Sequence, residues 1–220
     1  MGPEPEGRVH REGVKVMGID MAALEAGCDR FLPEADAWNR WDEAHVQSHG
    51  ADTQLFTAAG SGIFVKKGCR FSMGAGCRVF VKKGARLFVL GNFSFWGRNH
   101  VQVMPGACLV FGTGYINAGV RIDCAKHVHI GNAIIGYDTY ITDTDYHVLT
   151  DADGNVLNPP ADVIFGGHVW VGQGATVLKG VTVGRGAVIG AKSLVCRDVP
   201  EACAVAGNPA SVVRSGIRWK

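Results

Sequence analysis

Two aspartates and a histidine occupy alternate positions in the segment ITDTDYH, which ends at His147. Alternate side chains of an extended chain point to the same side, so Asp143, Asp145 and His147 should share one outer face. An imidazole, whose ordinary pKa is near ~6.5, can take a proton from a hydroxyl group at neutral pH, and a carboxylate beside it can fix its tautomer. A single histidine is more often structural or simply exposed, and the aspartates could equally bind substrate hydroxyls or lie in solvent.

A repeat of six residues follows this segment and must position it. From Phe165 to Pro200 the chain reads FGGHVW, VGQGAT, VLKGVT, VGRGAV, IGAKSL, VCRDVP. An amphipathic helix would repeat every 3.6 residues and a plain strand every two, so neither explains this period. Six-residue repeats are typical of a parallel β-helix, in which each unit is a short strand and a corner and three units make one coil. The first and fifth residues of each hexad should point inward.

Upstream, the repeat is looser but continues to about residue 61. The stretch IFVKKGCRF at 63–71 returns as VFVKKGARL at 79–87, an offset of 16 residues that predicts an irregular early coil. About seven coils result if residues 148–162 are set aside. Thr142 and Phe165 are 23 residues apart, which is not a multiple of six, so the chain should leave the coil and re-enter it. A long loop in a compact domain is usually functional.

Residues 1–60 have a different composition and are predicted to form a separate N-terminal cap. Residues 1–52 contain 11 acidic and five basic residues, and the segments 20–27 and 35–49 are predicted to be helical. Such a cap would cover the open end of the β-helix. An alternative is that it contributes to a binding site. The remaining residues, 61–220, should form the β-helix domain, with the loop at 148–162 and a C-terminal tail at 201–220.

Charge is unevenly distributed, although the net charge is only +2. Nine Lys and Arg residues and no acidic residue lie between Asp52 and Asp123. An anionic partner, such as a phosphorylated or lipid-linked glycan or a membrane surface, would explain this excess, and so would solvated lysines at the corners. No nucleic-acid recognition motif accompanies it. The chain has no apolar run of ~18 residues and starts without a signal-peptide core, so we expect a cytoplasmic protein.

Several motifs together resemble the hexapeptide-repeat acyltransferases that use acetyl-CoA. They are the hexads, a histidine at the end of a coil before a loop, HVWVG at 168–172 and AGNPASVVR at 206–214. The resemblance covers residues 110–214 and is greatest to the O-acetyltransferases of polysaccharide, capsule and lipopolysaccharide synthesis and to the maltose and galactoside acetyltransferases. Residues 1–60 share none of it.

The resemblance implies a left-handed parallel β-helix that assembles as a homotrimer with active sites between neighbouring prisms. His147 matches the position of the family's general base, with Asp145 the first choice and Asp143 the second for orienting it. Asp143 could otherwise bind the acceptor, and Asn117 in GYINAG matches an asparagine that binds acceptor or thioester. The residues that the resemblance places near CoA are Gln173 and Ala191 for the pantetheine arm, Cys196 and Arg197 for the adenine end, and Arg214 for a phosphate.

The sequence thus predicts an acetyl-CoA-dependent O-acetyltransferase that acts on a sugar or polysaccharide precursor, with possible peripheral contact to a membrane-bound, lipid-linked glycan. N-acetylation of an amino sugar or a xenobiotic is the main alternative, and a non-enzymatic scaffold is another. A γ-type carbonic anhydrase would need three histidine ligands, two of them spaced H-x4-H, and this spacing is absent. We therefore expect no metal.

Overall fold

The structure, a computed structural model, describes Lys15–Val16, Ile19–Asp20, Trp38–Trp41 and residues 52–220. The chain divides into two compact units, residues 1–33 and 34–220. In the first unit, β1 (Lys15–Val16) pairs antiparallel with β2 (Ile19–Asp20).

The second unit is built from three sheets whose strands follow one another in rotation along the chain. Sheet 1 contains β4 (Gln54–Thr57), β7 (Arg78–Val81), β10 (His100–Val103), β13 (Arg121–Cys124), β16 (Tyr140–Thr142), β19 (Thr176–Val177) and β22 (Leu194–Val195). Sheet 2 contains β3 (Trp38–Trp41), β5 (Gly62–Lys66), β8 (Arg86–Val89), β11 (Cys108–Phe111), β14 (His127–Ile130), β17 (Val163–Phe165) and β20 (Thr182–Val183). Sheet 3 contains β6 (Phe71–Met73), β9 (Phe93–Phe95), β12 (Gly114–Ile116), β15 (Ala133–Ile135), β18 (Val169–Val171), β21 (Val188–Ile189), β23 (Cys203–Gly207) and β24 (Ala210–Ser215).

Neighbouring strands are parallel, except that β3 joins β5 and β24 joins β23 antiparallel. Each turn of the chain contributes one strand to each sheet, which is the all-β solenoid of the left-handed β-helix type that the hexads predicted. Sheets 1 and 2 have seven strands each, in agreement with the predicted number of coils. No helix among the described residues is long and apolar enough to cross a membrane.

The core is the interior of the solenoid, and the hexad positions fill it as predicted. The first hexad positions from Phe165 to Val195 are at most 1% exposed, and the fifth positions from Val169 to Val199 are at most 3% exposed. The second hexad position is glycine where a corner approaches the next coil closely. A Cβ on Gly172 would lie 2.6 Å from the backbone nitrogen of Ala191, and one on Gly136 would lie 2.6 Å from that of Gln173.

The coils shorten along the chain, which explains why the repeat is clear only downstream. Gln54 pairs with Arg78, 24 residues on, whereas Arg121 pairs with Tyr140 after 19 residues and Thr176 with Leu194 after 18. The 16-residue offset does not correspond to a coil. IFV and VFV belong to β5 in sheet 2 and β7 in sheet 1, so the two KKG segments are different corners of the prism.

The predicted helix over 35–49 is wrong at Trp38–Trp41, which forms strand β3. The sheet edge competes successfully with helix propensity there, because β5 offers unpaired backbone groups. The other residues of this segment lie outside the described part of the chain. Of the segment 20–27, only Asp20 is described, in strand β2.

Candidate active site

The predicted catalytic segment begins where β16 ends and leaves the solenoid. Thr142, the last residue of β16, is buried, and its hydroxyl donates to the carbonyl of Thr144 at 2.8 Å. The hydroxyl of Thr144 in turn accepts the backbone N–H of Tyr146 at 3.0 Å. The chain returns to the solenoid at Val163. Short side-chain contacts therefore replace the strand ladder as soon as the chain leaves it.

A strained turn centred on Tyr146 presents His147. The N–H of His147 donates to the carbonyl of Asp145 at 2.7 Å, and Tyr146 has φ = 63°. A three-residue turn with positive φ is rare, and for a bulky aromatic residue it is strained by about 1–3 kcal/mol. The Tyr146 hydroxyl accepts a bond from Nη2 of Arg121 at 3.3 Å, which ties the turn to β13. Such strain is typical of functional sites.

The imidazole of His147 is exposed and accessible to a substrate. Among the hydrogen bonds of residues 52–220, none reaches either of its ring nitrogens. The contacts of this residue are made by its backbone, whose carbonyl accepts Nδ2 of Asn158 at 2.8 Å. The turn thus fixes the backbone of His147 and leaves its side chain available for chemistry.

Asp145 is exposed like His147, but its carboxylate is bound to other groups. Its Oδ2 accepts Nζ of Lys179 at 2.5 Å and Nδ2 of Asn158 at 2.9 Å. The hydrogen bond from Lys179 is the main reason that the pKa of Asp145 is lowered, and the bond from Asn158 adds to it. Because Nδ2 of Asn158 also binds the His147 carbonyl, Asp145 is connected to His147 through Asn158.

Asp143 does not share the outer face with these two residues, so that prediction is wrong. Its side chain is 0% exposed, and the backbone N–H groups of Ala125, Lys126 and His127 donate to its carboxylate at 2.6–2.8 Å. Burial raises the pKa of Asp143, and the three N–H donors oppose that rise. The alternation of an extended chain ends at Thr142, where β16 ends, so spacing no longer predicts direction. Asp143 anchors the corner after β13.

Arg121, Asp123 and Tyr140 form the floor below the Tyr146 turn. Nε of Arg121 lies 2.7 Å from Oδ2 of the fully buried Asp123, and its guanidinium lies 5.5 Å from the centre of the Tyr140 ring. Burial is the main cause that raises the pKa of Tyr146 to about 12, so its phenol stays protonated. These groups hold the turn in place from the side of sheet 1.

The rest of the loop, residues 148–162, is held mainly by local polar contacts. Asp151 accepts the N–H groups of Asp153 at 3.0 Å and Asn155 at 2.8 Å, and Thr150 bridges Val156. Three apolar side chains of the loop are exposed, namely Val148, Leu149 and Leu157. They form an apolar rim beside His147.

Asn117 lies in the corner where the chain enters β13, and both its backbone N–H and its Nδ2 donate to the carbonyl of Ile135. His147 follows the opposite end of β16, the next strand of the same sheet. No hydrogen bond within residues 52–220 joins the two side chains. The single chain therefore does not bring them together.

The predicted CoA-binding residues occupy two different corners of the last coils. Gln173 and Ala191 are exposed one coil apart in the corner leading into sheet 1, where the Gln173 carbonyl accepts the N–H of Lys192. Cys196 and Arg197 are exposed at the other end of β22. Arg214 is exposed on β24 and pairs in register with Ala204.

The C-terminal tail returns to the outer face of sheet 3. The ring of Trp219 stacks on His168 at 3.8 Å, its carbonyl lies 2.9 Å from Nε2 of that histidine, and Trp170 lies 6.2 Å away. Trp170, in HVWVG, is 46% exposed. This aromatic group borders the corner that contains Gln173.

In residues 52–220 and the described strands before them, no three His, Cys, Asp or Glu side chains are close enough to hold a metal ion. His127 and His129, on the outer side of β14, have ring centres 6.4 Å apart. Burial lowers the pKa of both, that of His129 to about 3, so both are neutral at pH 7.

Lys179, Asn158, Tyr146 and Arg121 are the site residues that sequence reasoning missed. Lys179 lies in the corner of the hexad VLKGVT and looks like any solvated corner lysine. Asn158 precedes two prolines, which gave a sign of a fixed turn at the end of the loop. Nothing in the sequence distinguishes Arg121 from the other basic residues.

Comparison with known proteins agrees with the solenoid and its loop. Over 142 residues the chain is 33% identical to WbbJ of Escherichia coli K12, a protein assigned to lipopolysaccharide biosynthesis as an O-acetyl transferase, covering 56% of this chain and 72% of WbbJ. It is 39% identical over 107 residues to the polysialic acid O-acetyltransferase of Escherichia coli O1:K1, covering 47% of this chain but only 35% of that enzyme. The crystal structure of the polySia-specific acetyltransferase NeuO matches with a TM-score of 0.51 and 27% identity, over 79% of this chain and 80% of NeuO. No family model matches the chain.

The fold and the extent of the match to WbbJ define the class: the chain belongs to the hexapeptide-repeat acetyltransferases and is an acyltransferase.

Proposed function

We propose that the protein transfers an acetyl group from acetyl-CoA to a hydroxyl group of a sugar or polysaccharide precursor in the cytoplasm. The observation that carries this proposal is the exposed imidazole of His147, presented without a protein partner by the strained Tyr146 turn. The relatives named for O-acetyl transfer to lipopolysaccharide and polysialic acid support a hydroxyl acceptor. A hydroxyl is a weak nucleophile at neutral pH and needs a base.

In this mechanism His147 is the general base. One ring nitrogen takes the hydroxyl proton while the oxygen attacks the thioester carbonyl, the carbon–sulfur bond breaks, and the imidazolium returns the proton to the leaving thiolate. Such proton transfer typically contributes about 10²–10⁴-fold to the rate. Asp145 supports the turn through Lys179 and Asn158, and a direct bond from Asp145 to the imidazole remains a prediction for the complex with substrate.

The acceptor and CoA sites extend beyond one chain in this proposal. Asn117 and His147 lie at opposite ends of neighbouring strands, and a homotrimer would allow Asn117 of one subunit to face His147 of the next. Gln173 and Ala191 would bind the pantetheine arm through their exposed corner, and Cys196, Arg197 and Arg214 would bind the adenine and phosphate end. Asp143 would act on the acceptor only indirectly, because its oxygens already accept three N–H groups. Residues 1–60 would cap the first coil.

Labelled acetyl-CoA incubated with sugars, sugar nucleotides and lipid-linked glycans, followed by mass spectrometry, tests the activity. We expect acetyl esters from the wild type and a loss of about 10²–10⁴-fold in kcat for His147→Ala. Acetyl-CoA binding by calorimetry should be unchanged in that variant. The control is Val148→Ala, which truncates the neighbouring side chain, 67% exposed, and should keep full activity.

Three results would contradict the proposal. Equal rates for wild type and His147→Ala would exclude His147 as the base. Amide products from amino sugars, with esters absent, would indicate N-acetylation. A wild type that does not bind acetyl-CoA at millimolar concentration would indicate a scaffold.

A further inference from the structure

The outer face of sheet 1 carries two columns of side chains that run along the solenoid axis. The strand registers align Arg78, His100, Arg121 and Tyr140 in one column. The second column contains Phe56, Phe80, Gln102 and Asp123. The residues between the columns, such as Val79, Val101 and Ile122, point into the core and are 0% exposed. We call the eight aligned residues the sheet 1 strip.

Aromatic rings and cations alternate along the sheet 1 strip. The rings of Phe56 and Phe80 stack with centres 4.8 Å apart and 1° between their planes, and Phe80 lies 5.4 Å from the His100 ring. Further along, the guanidinium of Arg121 lies over Tyr140. Phe56 is 49% exposed, so apolar ring surface faces solvent at the end of the strip. Ring faces of this kind can stack on the C–H faces of sugars.

The charge of the strip is positive and uncompensated at Arg78. In the described part of the chain no carboxylate contacts its exposed guanidinium, and the sequence from residue 53 to 122 contains no acidic residue. The only acidic member, Asp123, is buried and paired with Arg121. Arginine binds carboxylates and phosphates with two parallel hydrogen bonds. The strip therefore presents cationic groups and ring faces without a competing anion.

The strip leads to the catalytic turn. Arg121, in the strip, donates to the hydroxyl of Tyr146, which immediately precedes His147. Four strand spacings of ~4.8 Å separate β4 from β16, so the strip is roughly 19 Å long. An extended chain bound along it would place one end beside His147.

We propose that the sheet 1 strip binds an extended acidic glycan and positions the unit to be acetylated at His147. The acidic groups would pair with Arg78 and Arg121, and the sugar rings would stack on Phe56 and Phe80. This inference rests on the proposed function, because it assigns the strip to the acceptor of the same reaction. A single-stranded nucleic acid has similar chemistry, but its bases would not explain why the strip ends at a general base.

The test measures binding of an oligosialic acid octamer by calorimetry at low and high salt, with maltooctaose as the neutral probe. Arg78→Glu should weaken octamer binding at least about tenfold at low salt, and high salt should weaken wild-type binding. Phe80→Ala should weaken it by a smaller factor at both salt concentrations. Lys67→Glu makes the same charge change at an exposed corner away from the strip and should change binding less than about twofold. Maltooctaose should bind more weakly than the octamer.

Acetyl transfer to a sialic acid monomer, which is too short to reach from His147 to Arg78, separates this inference from the proposed function. We expect Arg78→Glu to retain the wild-type rate with the monomer and to lose rate with the octamer. If Arg78→Glu binds the octamer like the wild type while transfer proceeds, the strip is wrong and the function stands. If octamer binding depends on Arg78 but no acceptor is acetylated, the function is wrong and the strip is a glycan-binding site. Tighter binding of single-stranded DNA than of the octamer, or a changed oligomeric state of Arg78→Glu by sedimentation, would overturn the inference.

Discussion

The regular coils from Val163 to Val199 and the segment 143–162 that interrupts them are stabilised by different interactions. In the coils, backbone hydrogen bonds link strands in register, and inward side chains are small, apolar and fully buried. In the segment, the side chains of Thr142, Thr144, Asp151 and Asn158 bind the backbone instead. Leu149 and Leu157 are more than half exposed there.

This difference separates stability from chemistry. A stacked coil buries its side chains and pairs its backbone, so it has few groups left for a substrate. The segment pairs its backbone through polar side chains and holds Tyr146 in a strained conformation, so that His147 remains accessible. Changes in the coils should therefore mainly affect unfolding, and changes in the segment should mainly affect catalysis.

The largest effect on stability is expected from a glycine of the coils. In Gly172→Ala the new Cβ would lie 2.6 Å from the nitrogen of Ala191 and close to other backbone atoms, so the stacked corner must move. We expect a loss of about 3 kcal/mol in the free energy of unfolding, measured by urea titration.

Gly154→Ala in the loop is the matched control. Its φ is +83°, but no atom lies within 4 Å of the new Cβ, so only the backbone conformation is strained. The cost should be about 1 kcal/mol. Equal losses for the two variants would mean that close stacking does not distinguish the coils from the loop.

The sequence predicted the coils because inward position and strand register repeat together, as the hexads from Phe165 to Val195 demonstrate. It also predicted the departure after Thr142, since the repeat loses its phase. The direction of Asp143 could not be predicted, because alternation holds only within a strand and β16 ends one residue earlier. The pairing of Asp145 with Lys179 joins residues 34 positions apart, and no local pattern encodes it. Likewise, the strip became visible only when strand registers aligned residues from coils of unequal length.

A medium effect is expected from Asp143, which lies at the boundary between the two regions. In Asp143→Asn one acceptor oxygen is replaced by an NH2 group that faces the N–H donors of residues 125–127. Leaving a buried donor unsatisfied should cost about 1–3 kcal/mol of unfolding free energy. Because the same residue begins the catalytic segment, kcat should fall as well.

Asp151→Asn makes the same chemical change at an exposed turn of the loop, where water can satisfy the donors, and should cost less than about 0.5 kcal/mol. Urea titration and initial rates measure both variants. If Asp143→Asn unfolds like the wild type but loses activity, Asp143 contacts the acceptor directly, as the sequence resemblance implied.

The smallest effect is expected from the ion pair that connects the two regions. Lys179→Met removes the ammonium group that lies 2.5 Å from Asp145, and the pKa of Asp145 should rise toward about 3.9, which can be followed by carboxyl NMR. A carboxyl whose pKa is lowered in the folded state stabilises the protein above its unfolded pKa, and this contribution disappears as the pH falls through the folded pKa. The stability difference between wild type and variant should therefore be present at neutral pH, remain below about 1 kcal/mol because the pair is solvent-exposed, and vanish in acid. Lys126→Met, which breaks the 2.8 Å ion pair with Asp162, should leave the pKa of Asp145 unchanged. If Lys179→Met slows acetyl transfer without moving that pKa, then Lys179 acts on the reaction directly and not through Asp145.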